Sequence, residues 1–283
     1  MTAPTTTTPQ LPDAPVLEPK ARFTDLLAAE WMKLWSLRSN VWAFAATMAA
    51  VLVVTATAAY GNYQNWPGYD EKQREYFRTF GAMGDSFTTG SATVLLLGAG
   101  AIGALSILSE YTTGMIRTTF TAVPARRSVM AAKVGAVTAA TTIFGMVMAL
   151  VSFCVAQGIL SGRDAAVGLG HDGVLRLLLA SALLAPVSAL IGMALAAIIR
   201  HSVLTIVATV VLFFVVPSML NAREHLSATV LHMTVLQAWQ RLTYDEISDA
   251  LWPWTATGAW TVLGIWALVA AVLVVFSADR RDQ

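Results

Sequence analysis

The sequence predicts an all-α polytopic membrane protein with six transmembrane helices, on three observations. Charged residues are 12% of the 283-residue chain, about half the share found in soluble domains. Hydrophobic residues are 56% of it, and mean hydropathy is +0.63. The missing charge is concentrated in six runs without Asp, Glu, Lys or Arg, at 39–69, 86–109, 134–162, 177–199, 201–222 and 250–278. Each run reaches the ~20 residues that a spanning helix needs. None shows the alternation in ~10-residue strands expected of a membrane β-barrel.

Six spans put both termini on one side. Eleven of the 18 Lys and Arg, including Lys20, Lys33, Arg117, Arg126, Arg127, Lys133 and Arg200, fall on that side. The positive-inside bias makes it cytoplasmic. The Thr- and Pro-rich residues 1–22 are expected to form a disordered cytoplasmic tail. They lack the basic start and apolar core of a signal peptide. Residues 23–283 are then one transmembrane domain.

Along that domain, 23–38 reads as an amphipathic interfacial helix. Phe23, Leu26, Leu27, Trp31, Leu34 and Trp35 share one arc, with two tryptophans suited to headgroup level. Glu30 falls inside this arc, where an ion pair with Lys33 or Arg38 at the membrane surface accounts for it. The first span covers about 41–60. Beyond it, 70–78 (DEKQREYFR) predicts a solvated helix with Asp70 and Arg74 one turn apart. The second span, 88–108, carries Gly98, Gly100 and Gly103, small residues that permit close helix contact in lipid. A phosphate-binding loop would need a following Lys-Ser or Lys-Thr, which this stretch lacks.

The connection at 109–133 is the long polar interruption with net positive charge. Wound as a helix over 111–123, it puts Met115, Ile116, Thr119, Phe120 and Val123 on one arc. Glu110, Gly114, Arg117 and Thr121 fall opposite. Such a helix lies along a membrane surface, with Glu110, Arg117 and Thr121 toward the cytosol. Pro124 stops it, and Arg126, Arg127 and Lys133 mark the return into lipid.

The third span, 134–157, contains Thr138, Thr141, Thr142 and the lone Cys154, which excludes an intramolecular disulfide. The fourth, 177–199, has Pro186 as an expected kink and Ser188, Gly192 and Ala196 at four-residue spacing. Only Arg200, His201 and Ser202 separate it from the fifth, 203–216, predicting a tight hairpin ended by Pro217. Residues 226–239 are too short to span and suit a re-entrant or interfacial external helix. Trp252 and Trp254 belt the edge of the sixth span, 256–276.

Catalytic chemistry is not indicated. His171, His201, His225 and His232 are scattered without metal-ligand spacing, and no zinc-protease, nucleophile-elbow or Walker pattern occurs. The spans as bounded here contain no ionisable Asp, Glu, Lys or Arg, which argues against an ion-coupled pump or secondary transporter.

Two segments in this order carry a family resemblance. AEWMKLWSLRSNVW (29–42) before the first span resembles the lead-in of bacterial ABC-2-type transporter permeases, most closely their actinobacterial branch. The stretch with Glu110, Gly114, Ile116, Arg117, Pro124, Arg126, Arg127, Ala132 and Lys133 is similar to the segment after their second span. The resemblance implies a dimerising permease, with a second copy or a second permease, that exports substrate using ATP hydrolysed by a separate cytoplasmic ATP-binding protein. ATP and Mg²⁺ would sit on that partner, and this chain would be no enzyme, bind no cofactor and meet no nucleic acid. Glu110, Tyr111, Gly114, Arg117, Thr121, Arg126 and Arg127 would then form the ATPase-coupling surface. Glu30, Trp31, Lys33, Trp35 and Arg38 would form the interfacial helix, and Gly98, Gly100, Gly103, Ser188 and Gly192 would serve helix packing. An apolar or amphipathic substrate is the expectation. The rival readings are a non-transporting sensor or immunity component of such a complex and an ion-coupled secondary transporter.

Overall fold

The computed structural model describes residues 22–115, 119, 121, 125–221, 223–244 and 251–277. The tail predicted at 1–22 lies, but for Arg22, outside the described residues. Six helices among those described are long and apolar enough to cross a membrane: Arg38–Gly68, Glu71–Thr112, Arg126–Arg163, Val174–Ile199, Ser202–Met219 and Ala256–Ser277.

Helix α1 (Phe23–Ser36) opens with the Arg22 amide donating to Asp25 Oδ2 at 3.1 Å and ends where Leu37 turns extended. Helix α2 (Arg38–Asn65) follows directly. The buried Asn40 amide donates to the Leu34 carbonyl at 3.1 Å. It thereby occupies one of the carbonyls that the end of α1 leaves free, fixing the corner between the two helices. Trp35 stacks on Phe44 at 5.3 Å, and Phe44 meets Phe144 edge-on at 5.0 Å. Helix α1 is thus tied to two spans by aromatic contacts.

Helices α3 (Glu71–Tyr76) and α4 (Ala82–Asp85) are joined through a π turn at Phe77–Gly81, and α5 (Thr89–Thr112) begins on a Thr88 cap. Arg74 and Arg78 cover the Trp66 ring at 5.7 and 5.4 Å, so the charged 70–78 helix folds back on the chain. Helix α6 (Arg126–Leu160) has 35 residues. At 1.5 Å per residue it is ~50 Å long, well beyond a ~30 Å hydrocarbon layer.

Helix α7 (Val174–Ile199) is the centre of the bundle. Its apolar window is 78% buried and that of the α5 span 67%, against 22%, 17% and 22% for the first, fifth and sixth spans. Small residues allow this burial. A Cβ on Gly103 would lie 1.9 Å from the Ala189 oxygen, and one on Gly192 would lie 1.9 Å from the Gly100 oxygen. The backbones of α5 and α7 therefore touch, as close packing of small residues in lipid permits. Pro186 sits within α7 and removes the amide that would bond the Ala182 carbonyl. That carbonyl faces Gly145 of α6, where a Cβ would come within 2.1 Å of its oxygen.

Arg200 takes a left-handed conformation, φ 53°, and turns the chain into α8 (Ser202–Val210). A π turn at Val211–Val215 and α9 (Val216–Met219) complete the fifth span. Pro217 does not end the helical run, which continues to Met219. The wider π turn sits where Pro217 withholds its amide from the preceding carbonyls. The stretch read as one helix over 226–239 is two, α10 (His225–His232) and α11 (Val235–Thr243), the second capped by Thr234. Helix α11 is packed into the bundle: Trp239 is fully buried, and its indole N–H donates to Ser181 Oγ at 2.9 Å. Gln240 reaches Thr89 at 3.1 Å, and Arg241 donates to the Trp254 carbonyl at 2.8 Å. Helix α12 (Ala256–Ser277) closes the domain.

Candidate functional site

The two ends of the bundle differ in chemistry. At the α11 end, neutral amides do most of the tying. Gln157 donates to the Ala82 carbonyl at 2.7 Å and to Ser86 at 2.8 Å, and its own oxygen accepts from the Val167 amide at 2.7 Å. Asn62 donates to Asp85 at 2.8 Å and accepts from Tyr69. Above them, His232 stacks on Trp254 at 4.6 Å, and burial pulls its pKa below the usual imidazole value.

The α1 end holds a closed ring of four charges. Lys33 Nζ binds Glu30 Oε1 at 2.7 Å and Glu110 Oε1 at 3.2 Å. Lys133 Nζ binds Glu110 Oε1 at 2.9 Å and also Glu30 Oε2. Glu30, Glu110 and Lys133 are almost wholly withdrawn from solvent, with side chains 4%, 7% and 5% exposed, while Lys33 keeps 30%. Burial lowers the Lys33 pKa, but its hydrogen bond to Glu30 and the charges of Glu110 and Glu30 outweigh that, leaving it raised. Two carboxylates and two ammonium groups balance, so charges that would each cost several kcal/mol alone are held in place by one another. A cleft of about 90 Å³ lies against the ring, bordered by Asn40, Ser106, Ser109, Thr113 and Met115.

Three elements meet here, and each brings its charge by a simple local rule. Glu30 and Lys33 are neighbours on α1 at i, i+3. Glu110 lies in the last turn of α5, and Lys133 is two turns into α6. Both flank the connection that the sequence assigned to a surface helix. Two expectations change accordingly. The helix read over 111–123 does not begin at Tyr111: Tyr111 and Thr112 finish α5, and Gly114, at φ 70°, breaks the path. Glu110 is therefore buried against Lys33 and Lys133 and does not face the aqueous side. Lys133, read as marking the return into lipid, is buried at 4% exposure instead. Arg38 is exposed and takes no part in the ring.

The other predicted residues are distributed around this ring. Tyr111 lies under the Arg200 guanidinium at 4.9 Å, and Arg127 covers Phe276 at 4.9 Å. The ends of α5, α6, α7 and α12 are thus joined by cation–π contacts. Gly114 and Thr121 are exposed, and Arg126 opens α6. Arg117 lies outside the described residues, as do Ile116, Phe120, Val123 and Pro124. Trp31 and Trp35 are exposed and meet edge-on at 5.9 Å. Gly98 faces Thr47 of α2, while Gly100, Gly103, Ser188 and Gly192 meet at the α5–α7 crossing within one chain.

The sequence matches the profile of the ABC-2 family transporter protein over residues 26–216, which takes in α1 to α8 and the whole charge ring. The chain belongs to the ABC-2 transporter family. It is a transporter permease, a multi-pass protein of the plasma membrane, and family membership implies an ABC transporter system with an ATP-binding partner. No curated protein matches the chain. The permease residues that sequence reasoning missed as a unit are Glu30, Glu110 and Lys133, 80 and 23 positions apart in sequence. The signal was present in parts: one acid on an apolar arc, and one charge at each end of the polar connection.

Proposed function

We propose that this ABC-2 permease is the membrane-spanning subunit of an ATP-driven exporter of an apolar or amphipathic substrate. ATP and Mg²⁺ reside on a separate ATP-binding protein that docks from the cytoplasm on the 109–133 connection. The permease acts as a dimer, with a second copy or a related permease. The observation that carries this reading is the buried ring of Glu30, Lys33, Glu110 and Lys133. It fastens both ends of the connection to each other and to α1. A force on the connection is therefore delivered to α5 and α6 together, and through the Gly103–Ala189 contact to central α7. A loose loop would absorb the same push without moving a span. Apart from the charges of the ring and Asp85 toward their ends, the spanning helices are apolar, which favours a substrate that needs no charged site.

In this arrangement Gly114, Arg117 and Thr121, with Arg126 and Arg127, meet the ATP-binding protein, and Glu110 transmits from behind. Arg117→Glu reverses a charge at this protein–protein contact, where like-charge juxtaposition can cost several kcal/mol. Gly114→Trp adds bulk at an exposed backbone position. Both variants should reach the membrane normally yet lose co-purification of the ATP-binding protein and its substrate-stimulated ATP hydrolysis. Full partner binding and activity in both would reduce the connection to a topological link and remove the main support for the proposal.

A further inference from the structure

We infer that the groove between the ends of α7 and α12 holds one phospholipid with an anionic headgroup, its phosphate on Arg200. The groove measures about 460 Å³, and Ile198, Val272, Leu273 and Phe276 form its apolar wall. These side chains are 53%, 44%, 43% and 47% exposed within the chain, and they belong to the last turns of two spans. The groove therefore opens sideways at the membrane boundary, where acyl chains begin. Arg200 stands at its head.

The geometry of Arg200 singles it out. Its left-handed backbone closes α7, with its amide on the Ala196 carbonyl at 2.9 Å and its Nε on the Ala197 carbonyl at 3.3 Å. Its guanidinium plane rests on Tyr111. These contacts fix the cation without neutralising it, since none of the ion pairs among the described residues includes Arg200. A guanidinium has five N–H donors in a rigid fork that suits a phosphate, and among the described residues only Nε donates a hydrogen bond to the protein. Phe276, at the other side of the groove, is itself covered by the Arg127 guanidinium at 4.9 Å. Basic pockets between membrane helices on the cytoplasmic side bind anionic lipid headgroups, and Arg200 above this apolar wall has that chemistry. Because Arg200 rests on Tyr111 at the end of α5, the bound lipid would brace the helix that leads into the 109–133 connection.

The test is native mass spectrometry of the full-length permease in detergent micelles, titrated with dioleoylphosphatidylglycerol or dioleoylphosphatidylcholine. The wild type should retain one phosphatidylglycerol in preference to phosphatidylcholine by about five- to tenfold. Arg200→Gln should abolish that preference, and Lys72→Gln at the other end should keep it. Leu273→Trp, an outward-facing change that fills the groove, should lower retention of phosphatidylglycerol with Arg200 intact, and it decides the matter if Arg200→Gln does not fold. Millimolar inorganic phosphate should not displace the lipid. Equal retention of the two lipids by the wild type, or unchanged preference in both Arg200→Gln and Leu273→Trp, overturns the inference. So does displacement by phosphate, which makes the site a free-anion site. A shift between monomer and dimer on Leu273→Trp without loss of lipid assigns the groove to contact between copies instead.

Discussion

Replacing Lys133 by Met keeps most of the side chain's volume but removes one of two cations from the charge ring. Among the described residues, Glu30 Oε2 then loses its ion-pair partner and Glu110 Oε1 keeps Lys33 at 3.2 Å. Glu30 and Glu110 are 5% exposed each, so solvent compensates only poorly for the lost ammonium. Breaking a buried pair from one side costs about 3–5 kcal/mol, which for a helical domain of this size lowers the thermal midpoint on the order of 10 °C. The compensating variant Lys133→Met/Glu110→Gln leaves the neutral pair Glu30–Lys33 and should recover more than half of that drop. The assay is thermal unfolding of purified permease in one detergent at one ionic strength. High salt should leave the difference nearly unchanged, since buried pairs are weakly screened. A midpoint for Lys133→Met within ~2 °C of the wild type, or a double variant no better than the single, would refute the claim that the ring clamps α1, α5 and α6.

Three further outcomes follow from packing and charge. Gly103→Ala and Gly192→Ala each drive a Cβ into backbone 1.9 Å away and should destabilise by about 3 kcal/mol, whereas Gly264→Ala, with nothing within 4 Å, should be neutral or slightly stabilising by thermal unfolding. Trp239→Phe, which loses the bond to Ser181, should cost about 1–2 kcal/mol, and Trp239→Ala about 3–5 kcal/mol; equal midpoints for the two would show that α11 is not docked through this indole. Tags at Met1, Arg126 and Gln283 should report from the cytoplasm and those at Lys72 and Arg241 from outside; labelling of a cysteine at 126 but not 241 by an impermeant reagent contradicts this topology.

Spans were legible because lipid imposes a rule that composition obeys: charge-free runs of about 20 residues. Six such runs became six helices, and the Arg200 turn fell between the fourth and fifth. Helix ends were less legible. Glu110 and Lys133 look like loop residues because hydropathy treats every charge as wet, and only tertiary structure brings each within reach of an opposite charge. On a helical wheel Gly114 falls on the polar face, whereas its φ of 70° makes it a helix stop. The break between His232 and Val235 hides behind an apolar stretch, although the Thr234 cap is a local signal for it. The α5–α7 crossing was foreshadowed by Gly100, Gly103 and Gly192, but spacing alone could not distinguish contact within a subunit from contact between subunits. The structure places these contacts within one chain.

The most direct measurement of the account is transport by proteoliposomes holding this permease and its ATP-binding protein. With ATP inside the compartment that carries the cytoplasmic face and all ion gradients collapsed, substrate movement and ATP hydrolysis should proceed together. Arg117→Glu should abolish both, while the permease remains folded and inserted. Transport that persists without ATP and follows an imposed proton or sodium gradient would contradict the account and restore the ion-coupled alternative.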